Sequence, residues 1–344
     1  MISIYDTEGM EWLRAQSALQ PDRMRHFLNA FFKKGKSPEE ALSLLPKPTQ
    51  HFFKKEVEFQ ILEILDRKDS ALDGSTKLVF RAKDGALVES VLMRPETGRV
   101  SLCISSQVGC ACGCCFCATG QMGFVRNLSV AEILDQVTQA NQLIEKEEGR
   151  LVRNVVFMGM GEPLLNLENL FGALELLCAI PLFNYSPTRL MVSTVGIPEK
   201  MGAFSERFPR VRLALSLHSA RQSVRESLMP FAKRYPLEQL ALALKTLSES
   251  GKIMVEYLML KGVNDQPEDL NALIHYLKGL WVHINLIPFN SFPSCSLEGT
   301  PREERKAFAT KLKKEGFETT LRHSFGTDIA AACGQLARTQ KMKI

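Results

Sequence analysis

The chain has no uncharged apolar run long enough to cross a bilayer, which excludes a membrane-spanning helix. Its first residues, MISIYDTEGMEWLRA, carry acids where an export leader would have basic residues ahead of an apolar core. The expected compartment is therefore the cytoplasm. Repeats and low-complexity tracts are missing too, so a solenoid or a disordered linker protein is not expected. There is no separated second pair of cysteines and no H-x-x-x-H, the patterns that give a structural zinc ion its four ligands. Nine cysteines, an odd and clustered set, do not make a disulfide framework in a reducing compartment. Metal or redox chemistry is the better expectation.

At 344 residues the chain exceeds the roughly 250 to 300 at which a single core stops growing, so a large domain with a small appendage is expected. The formal charge of +5 is unevenly spread. Eight Lys or Arg face two acids between Arg23 and Lys55, and ten face five between Pro301 and Ile344. Both ends suit a polyanion.

Residues 1–69 read as short helices, a small accessory module whose phenylalanines (Phe27, Phe31, Phe32, Phe52, Phe53) form its own core and whose lysines suit phosphates. Residues 70–98 read as a β-rich linker, with turns at Asp73-Gly74, Asp84-Gly85 and Thr97-Gly98. From residue 99 onward, strands at 100–105, 153–159, 188–194, 211–217, 252–260 and 282–288 alternate with helical patterns. One helix starts at Val130 behind the capping box Ser129/Glu132, another follows Asn166, and others begin near Pro236, Pro267 and Pro301. The fold class is α/β. Six strand-then-helix units imply parallel strands in an open, partial TIM-like (β/α)6 barrel. Reactive groups in such folds lie at the C-terminal ends of strands.

The first of those ends carries GCACGCCFCATG, residues 109–120, with Cys110, Cys114 and Cys117 in the spacing C-x-x-x-C-x-x-C. A [4Fe-4S] cluster needs four ligands, and three cysteines leave one iron free. Cys112 and Cys115 are off that spacing and read as small loop residues. The spacing resembles that of the radical S-adenosylmethionine (SAM) enzymes, in which the free iron chelates SAM.

CISSQVGCACGCCFCATGQMGFVRNL, FMGMGEPLLN, VSTVGIP, LALSLHS, NLIPFNSF and FGTDIAAACGQLA together resemble the RlmN family of adenine methyltransferases, over about Gly85 to Ala337. Alone, His218 would be a strand-end histidine and Cys333 a small buried residue; in their motifs they gain roles. The resemblance implies a radical SAM barrel, a [4Fe-4S] cluster on Cys110, Cys114 and Cys117, and two SAM molecules per turnover. It makes Gly161, Glu162, Ser193, Ser216, Leu217, His218 and Asn290 SAM contacts. Cys333 becomes the methyl carrier, Cys103 its disulfide partner and Glu89 the proton acceptor, a role that Cys103 itself could also fill. The implied reaction methylates carbon 2 of an adenine in 23S ribosomal RNA, at the peptidyl transferase centre, and in transfer RNA 3′ of the anticodon. A flavodoxin-type electron donor and a monomer are also implied. A Cfr-type enzyme acting at carbon 8 shares the cysteines, but Pro163 in GMGEPLLN favours the RlmN side, since Cfr-like sequences tend to read GMGEALAN. A non-catalytic zinc RNA-binding module would leave GMGEP, SLH and AACGQL without explanation. An electron-transfer protein would need a fourth cysteine ligand.

Overall fold

Ser129 opens a long helix as its sequence predicts. Its hydroxyl accepts from the Glu132 N–H at 3.2 Å, and the Glu132 carboxylate accepts from the Ser129 N–H at 2.9 Å, so two of the helix's orphan donors are satisfied. This helix, α1 (Val130–Glu148), ends at Gly149, whose φ of 63° closes the last turn. Its 3.6-residue period buries Ile133, Leu134, Val137 and Ile144 against a sheet.

The computed structural model describes residues 1–336, so Ala337 and the basic residues Arg338, Lys341 and Lys343 lie outside the described residues. Its main sheet has ten strands, and their order in space is their order in the chain. They are β1 (Glu63–Asp69), β2 (Thr76–Arg81), β3 (Leu87–Met93), β4 (Ser101–Cys103), β5 (Asn154–Phe157), β6 (Leu190–Thr194), β7 (Arg212–Ser216), β8 (Ile253–Met259), β9 (Val282–Pro288) and β10 (Glu318–Leu321). Strands β4 to β10 run parallel, and β1 to β4 pair antiparallel. The six strands expected from sequence are β4 to β9. Strand β10 adds a seventh parallel strand after the helix Arg302–Lys314; its four residues, ETTL, are too few to show a period.

Two further differences concern the segment before the barrel. Strand β1 falls inside the stretch read as helical, because six of its seven residues are exposed and no apolar alternation marks it. The hairpin read as a linker, β2–β3, turns at Asp84-Gly85, where Gly85 takes a φ of 84°. It does not stand apart: Val91 pairs with Cys103 and Leu92 with Leu102, so the hairpin extends the parallel sheet.

The sheet is curled. Neighbouring strands sit about 4.8 Å apart, so in a flat sheet β10 would lie roughly 24 Å from β5, further than an arginine and a methionine can jointly reach. Yet the guanidinium of Arg322, just past β10, donates to the Met158 sulfur, just past β5, at 3.7 Å. No pairing joins β1 to β10 among the described residues, so the barrel stays open. No helix of the described residues is long and apolar enough to cross a membrane.

The N-terminal helices are Thr7–Gln16, Pro21–Leu28, Pro38–Leu42 and Lys47–Glu56. Phe27, Phe31, Phe32 and Phe53 are buried and make the module's core, with Phe27 and Phe53 edge-on at 5.7 Å. Phe52 is partly buried against them. Phe32 also packs on Phe183 at 4.8 Å, so this core continues into the barrel layer. Asp135 of α1 fastens the junction, accepting from the Tyr5 hydroxyl at 2.7 Å, the Ile61 and Leu62 N–H groups at 2.9 and 2.7 Å, and the Gln139 amide at 2.7 Å. Asp135→Ala would leave the Ile61 and Leu62 N–H groups without this acceptor, while the Tyr5 hydroxyl keeps Thr138 at 2.8 Å and the Gln139 amide keeps the Leu62 carbonyl at 2.7 Å. It is expected to cost about 3 kcal/mol, read as a lower urea midpoint at unchanged slope; an unchanged midpoint would show that this network does not anchor the module.

Candidate active site

The cysteine loop is held by backbone before any metal is considered. A short strand, Gln107–Gly109, pairs antiparallel with Phe124–Asn127 and closes the loop's neck. Gly109 has a φ of +72°, and a Cβ there would meet the Gly123 carbonyl at 1.9 Å; only glycine fits. Within the loop the Cys117 N–H donates to the Cys114 carbonyl at 3.2 Å, and the Cys115 N–H to the Leu228 carbonyl at 3.0 Å.

Cys110, Cys114 and Cys117 line one cavity of about 160 Å³. Burial pushes the Cys114 and Cys117 thiols up, and neighbouring cysteines push them further. A hydrogen bond from Cys112 pulls the Cys110 thiol down. At Cys114 and Cys117 iron binding would therefore have to displace protons from poor acids. Cys112 is buried and lines the same cavity, whereas Cys115 does not line it.

Strands β5 to β7 bring further groups to this mouth. Glu162, past β5, is fixed by the Val195 N–H at 2.8 Å and the Leu164 N–H at 3.1 Å, and burial raises its carboxyl to about 7. Gly161 has a φ of +98°, with a Cβ position 2.5 Å from the Gln107 side chain. Ser193 and Ser216, at the ends of β6 and β7, share a hydrogen bond at 3.2 Å and both line the cavity. His218 lines it too. Its Nδ1 accepts the Leu258 N–H at 3.0 Å, and burial, with Arg225 nearby, lowers it to about 3. The ring is thus neutral with its proton on Nε2.

Cys333 is exposed and lines both this cavity and a second one of about 90 Å³. Cys103, the last residue of β4, lines the second cavity, and burial raises its thiol to about 12. Glu89 lines neither. It is buried on β3 and pairs with Lys77 at 3.3 Å. Strand alternation nevertheless puts it on the same face as Val91 and Met93, which line the second cavity. Two other expected residues lie outside the cavity wall. The Leu217 side chain is in the core, and the Asn290 amide donates to the Cys333 carbonyl at 3.2 Å.

Sequence reasoning missed Glu256 and Arg322, which line the first cavity. Arg322 lies 3.7 Å from the Glu256 carboxylate, and nearby Cys333 raises its guanidinium further. A lone acid inside the apolar run IMVEYLM of β8 was the available signal for Glu256; Arg322 had none.

Among the described residues no group of three His, Cys, Asp or Glu side chains converges as a metal-ion site would require. A mononuclear zinc site needs such convergence, whereas a cubane takes its ligands at separate corners. Three thiols on one braced loop, facing a cavity with a buried carboxylate, fit a cluster and a cationic ligand.

Comparison with known proteins gives the following. The radical SAM superfamily matches residues 104–274. A probable RNA methyltransferase of Rhodopirellula baltica is 45% identical, covering 98% of this chain and 88% of that protein. The probable dual-specificity RNA methyltransferase RlmN of Thermotoga neapolitana is 39% identical, covering 94% and 93%. The crystal structure of a radical SAM methyltransferase from Sphaerobacter thermophilus superposes with a TM-score of 0.90 at 34% identity, covering 97% of this chain and 99% of that one.

Proposed function

The chain belongs to the RlmN family of radical SAM RNA methyltransferases, and from that premise we propose that it methylates carbon 2 of adenine in 23S ribosomal RNA and in transfer RNA, through a methyl group carried on Cys333. It is a SAM-dependent enzyme with a [4Fe-4S] cluster. The observation that carries the carrier role is the position of Cys333, which opens onto the cavity of the cysteine loop on one side and onto that of Cys103 on the other.

Cys110, Cys114 and Cys117 would hold the cluster, which when bound supplies the electron that splits SAM and so provides a radical able to take hydrogen from a methyl group. Glu162 would receive the ammonium of SAM's methionine portion, its carboxyl already oriented by two backbone N–H groups. The paired hydroxyls of Ser193 and Ser216 and the Nε2–H of His218 offer further polar contacts to the same ligand.

Carbon 2 of adenine lies between two ring nitrogens and is too electron-poor to attack a sulfonium methyl. A thiolate is a good nucleophile, so Cys333 would take the methyl first. Arg322 lines both cavities together with Cys333 and supplies a cation there. Once carrier and base are joined, Glu89 or Cys103 would accept the ring proton. With one electron passed from the adduct to an acceptor and the ring proton removed, the Cys103 thiolate would attack the Cys333 sulfur; the S–S bond forms as the S–CH2 bond breaks, the released carbon takes a proton to become the methyl group, and the disulfide must be reduced before the next cycle. A flavodoxin-type donor and a monomeric enzyme complete the reading.

The test is anaerobic incubation of reconstituted protein with methyl-labelled SAM and RNA, followed by mass spectrometry of nucleosides. The expected product co-elutes with 2-methyladenosine. Label in 8-methyladenosine would replace this reading by the Cfr-type one, and no labelled adenosine would overturn both.

A further inference from the structure

The helix Gln222–Leu228 backs the cysteine loop. Besides the bond from Cys115 to Leu228, a Cβ on Gly113 would sit 4.0 Å from Pro230, just past that helix. The helix carries Arg225 inward until the whole side chain is buried. A guanidinium has five N–H donors. Nη2 donates to the Val195 carbonyl, but Nε and Nη1 have no partner. The ionisable groups that interact with it are Tyr276, whose hydroxyl donates to the Leu237 carbonyl, Cys114 and the neutral His218. None of them is a carboxylate.

A buried cation without an anion is among the costliest arrangements in a protein interior, and an orphaned donor there calls for a partner outside the protein's own side chains. Arg225 does not line the first cavity, so it does not meet SAM there; its helix packs against the back of the cysteine loop through Leu228, and Cys114 is among the groups that act on its charge. An iron–sulfur cubane with three thiolate ligands is an anion, and each added electron deepens its charge.

We infer that Arg225 is a positioning residue for the iron–sulfur centre, its two free donors directed at the Cys114 side of the cluster to hold that excess negative charge. The inference rests on the cluster assignment above. Its consequence is electrostatic: the guanidinium favours the reduced state, so removing it makes the electron harder to add.

The experiment uses the full chain, reconstituted without oxygen, as wild type, Arg225→Lys and Arg225→Gln, with no RNA or SAM present. Iron content and the electron paramagnetic resonance signal are followed through a redox titration. Arg225→Gln should hold at least tenfold less reduced cluster at a given solution potential, a downward shift of about 59 mV for a one-electron couple, and Arg225→Lys should recover most of it. Wild type labelled with 15N-arginine should show a nitrogen coupling to the reduced cluster that Arg225→Lys changes. This second measurement decides the matter if Arg225→Gln does not fold. A loaded wild-type cluster with no such coupling, or an unchanged potential in Arg225→Gln, overturns the inference alone. A wild type that takes up no cluster overturns the cluster assignment and this inference with it.

Discussion

Cys333→Ala is expected to keep its iron and its fold while losing RNA methylation by at least ~10⁴-fold, and Cys103→Ala is expected to stall one step later with RNA covalently attached. The two thiols differ in setting. Cys333 is exposed, so shortening it removes little buried surface, whereas Cys103 is a small side chain at the wall of the second cavity. Neither change should unfold the protein. In Cys333→Ala no methyl should pass from labelled SAM to protein, which intact-protein mass spectrometry reads directly. In Cys103→Ala the methyl loads and the carrier reaches the base, but nothing attacks its sulfur. Nuclease digestion should then leave a nucleotide on Cys333. Free methylated RNA at normal yield from Cys103→Ala would remove the resolving role from that thiol. Burial raises Cys103 to about 12 and Arg322 draws it down, so its thiolate is scarce at neutral pH and a nearby proton acceptor would speed its attack.

Iron content should fall to background in Cys110→Ala, Cys114→Ala and Cys117→Ala and stay near the wild-type value in Cys112→Ala. Cys112 is the demanding control, because it is buried, lines the same cavity and hydrogen-bonds to Cys110. If spacing determines the ligands, losing Cys112 costs only that hydrogen bond. Colorimetric iron assay and the visible absorption of anaerobically reconstituted protein provide the measurement. Background iron in Cys112→Ala, with iron retained in Cys110→Ala, would move the ligand set off the C-x-x-x-C-x-x-C frame.

What could be read in the sequence was whatever leaves a local mark. The capping box at Ser129, the period of α1 and the six β-rich runs did so because their burial is regular along the chain. Strands β1 and β10 did not, since pairing with a neighbour holds one and the other is too short for a pattern. The same division runs through the site. Cys110, Glu162 and His218 sit in dense motifs at strand ends, and all three line the first cavity. Arg225 and Arg322 are ordinary residues in a polar helix and after a short strand; packing of its helix buries Arg225, and the curl of the sheet brings Arg322 to Met158. For Asn290, position in a motif suggested a ligand contact, whereas its amide is seen to hold the Cys333 carbonyl.

The segment bearing Cys333 is tied down by parts of the chain that are far away in sequence. Asp328 accepts from the Ser70 hydroxyl at 2.7 Å across 258 positions, Lys77 donates to the Ala330 carbonyl, and the Ala118 N–H donates to Gly334 at 2.7 Å. Closing such long loops is slow because the entropy is lost before the contacts form. The strap should therefore be among the last parts to dock during folding and among the first to loosen under denaturant. Amide exchange across 326–336 would then report a competent enzyme separately from a merely folded one.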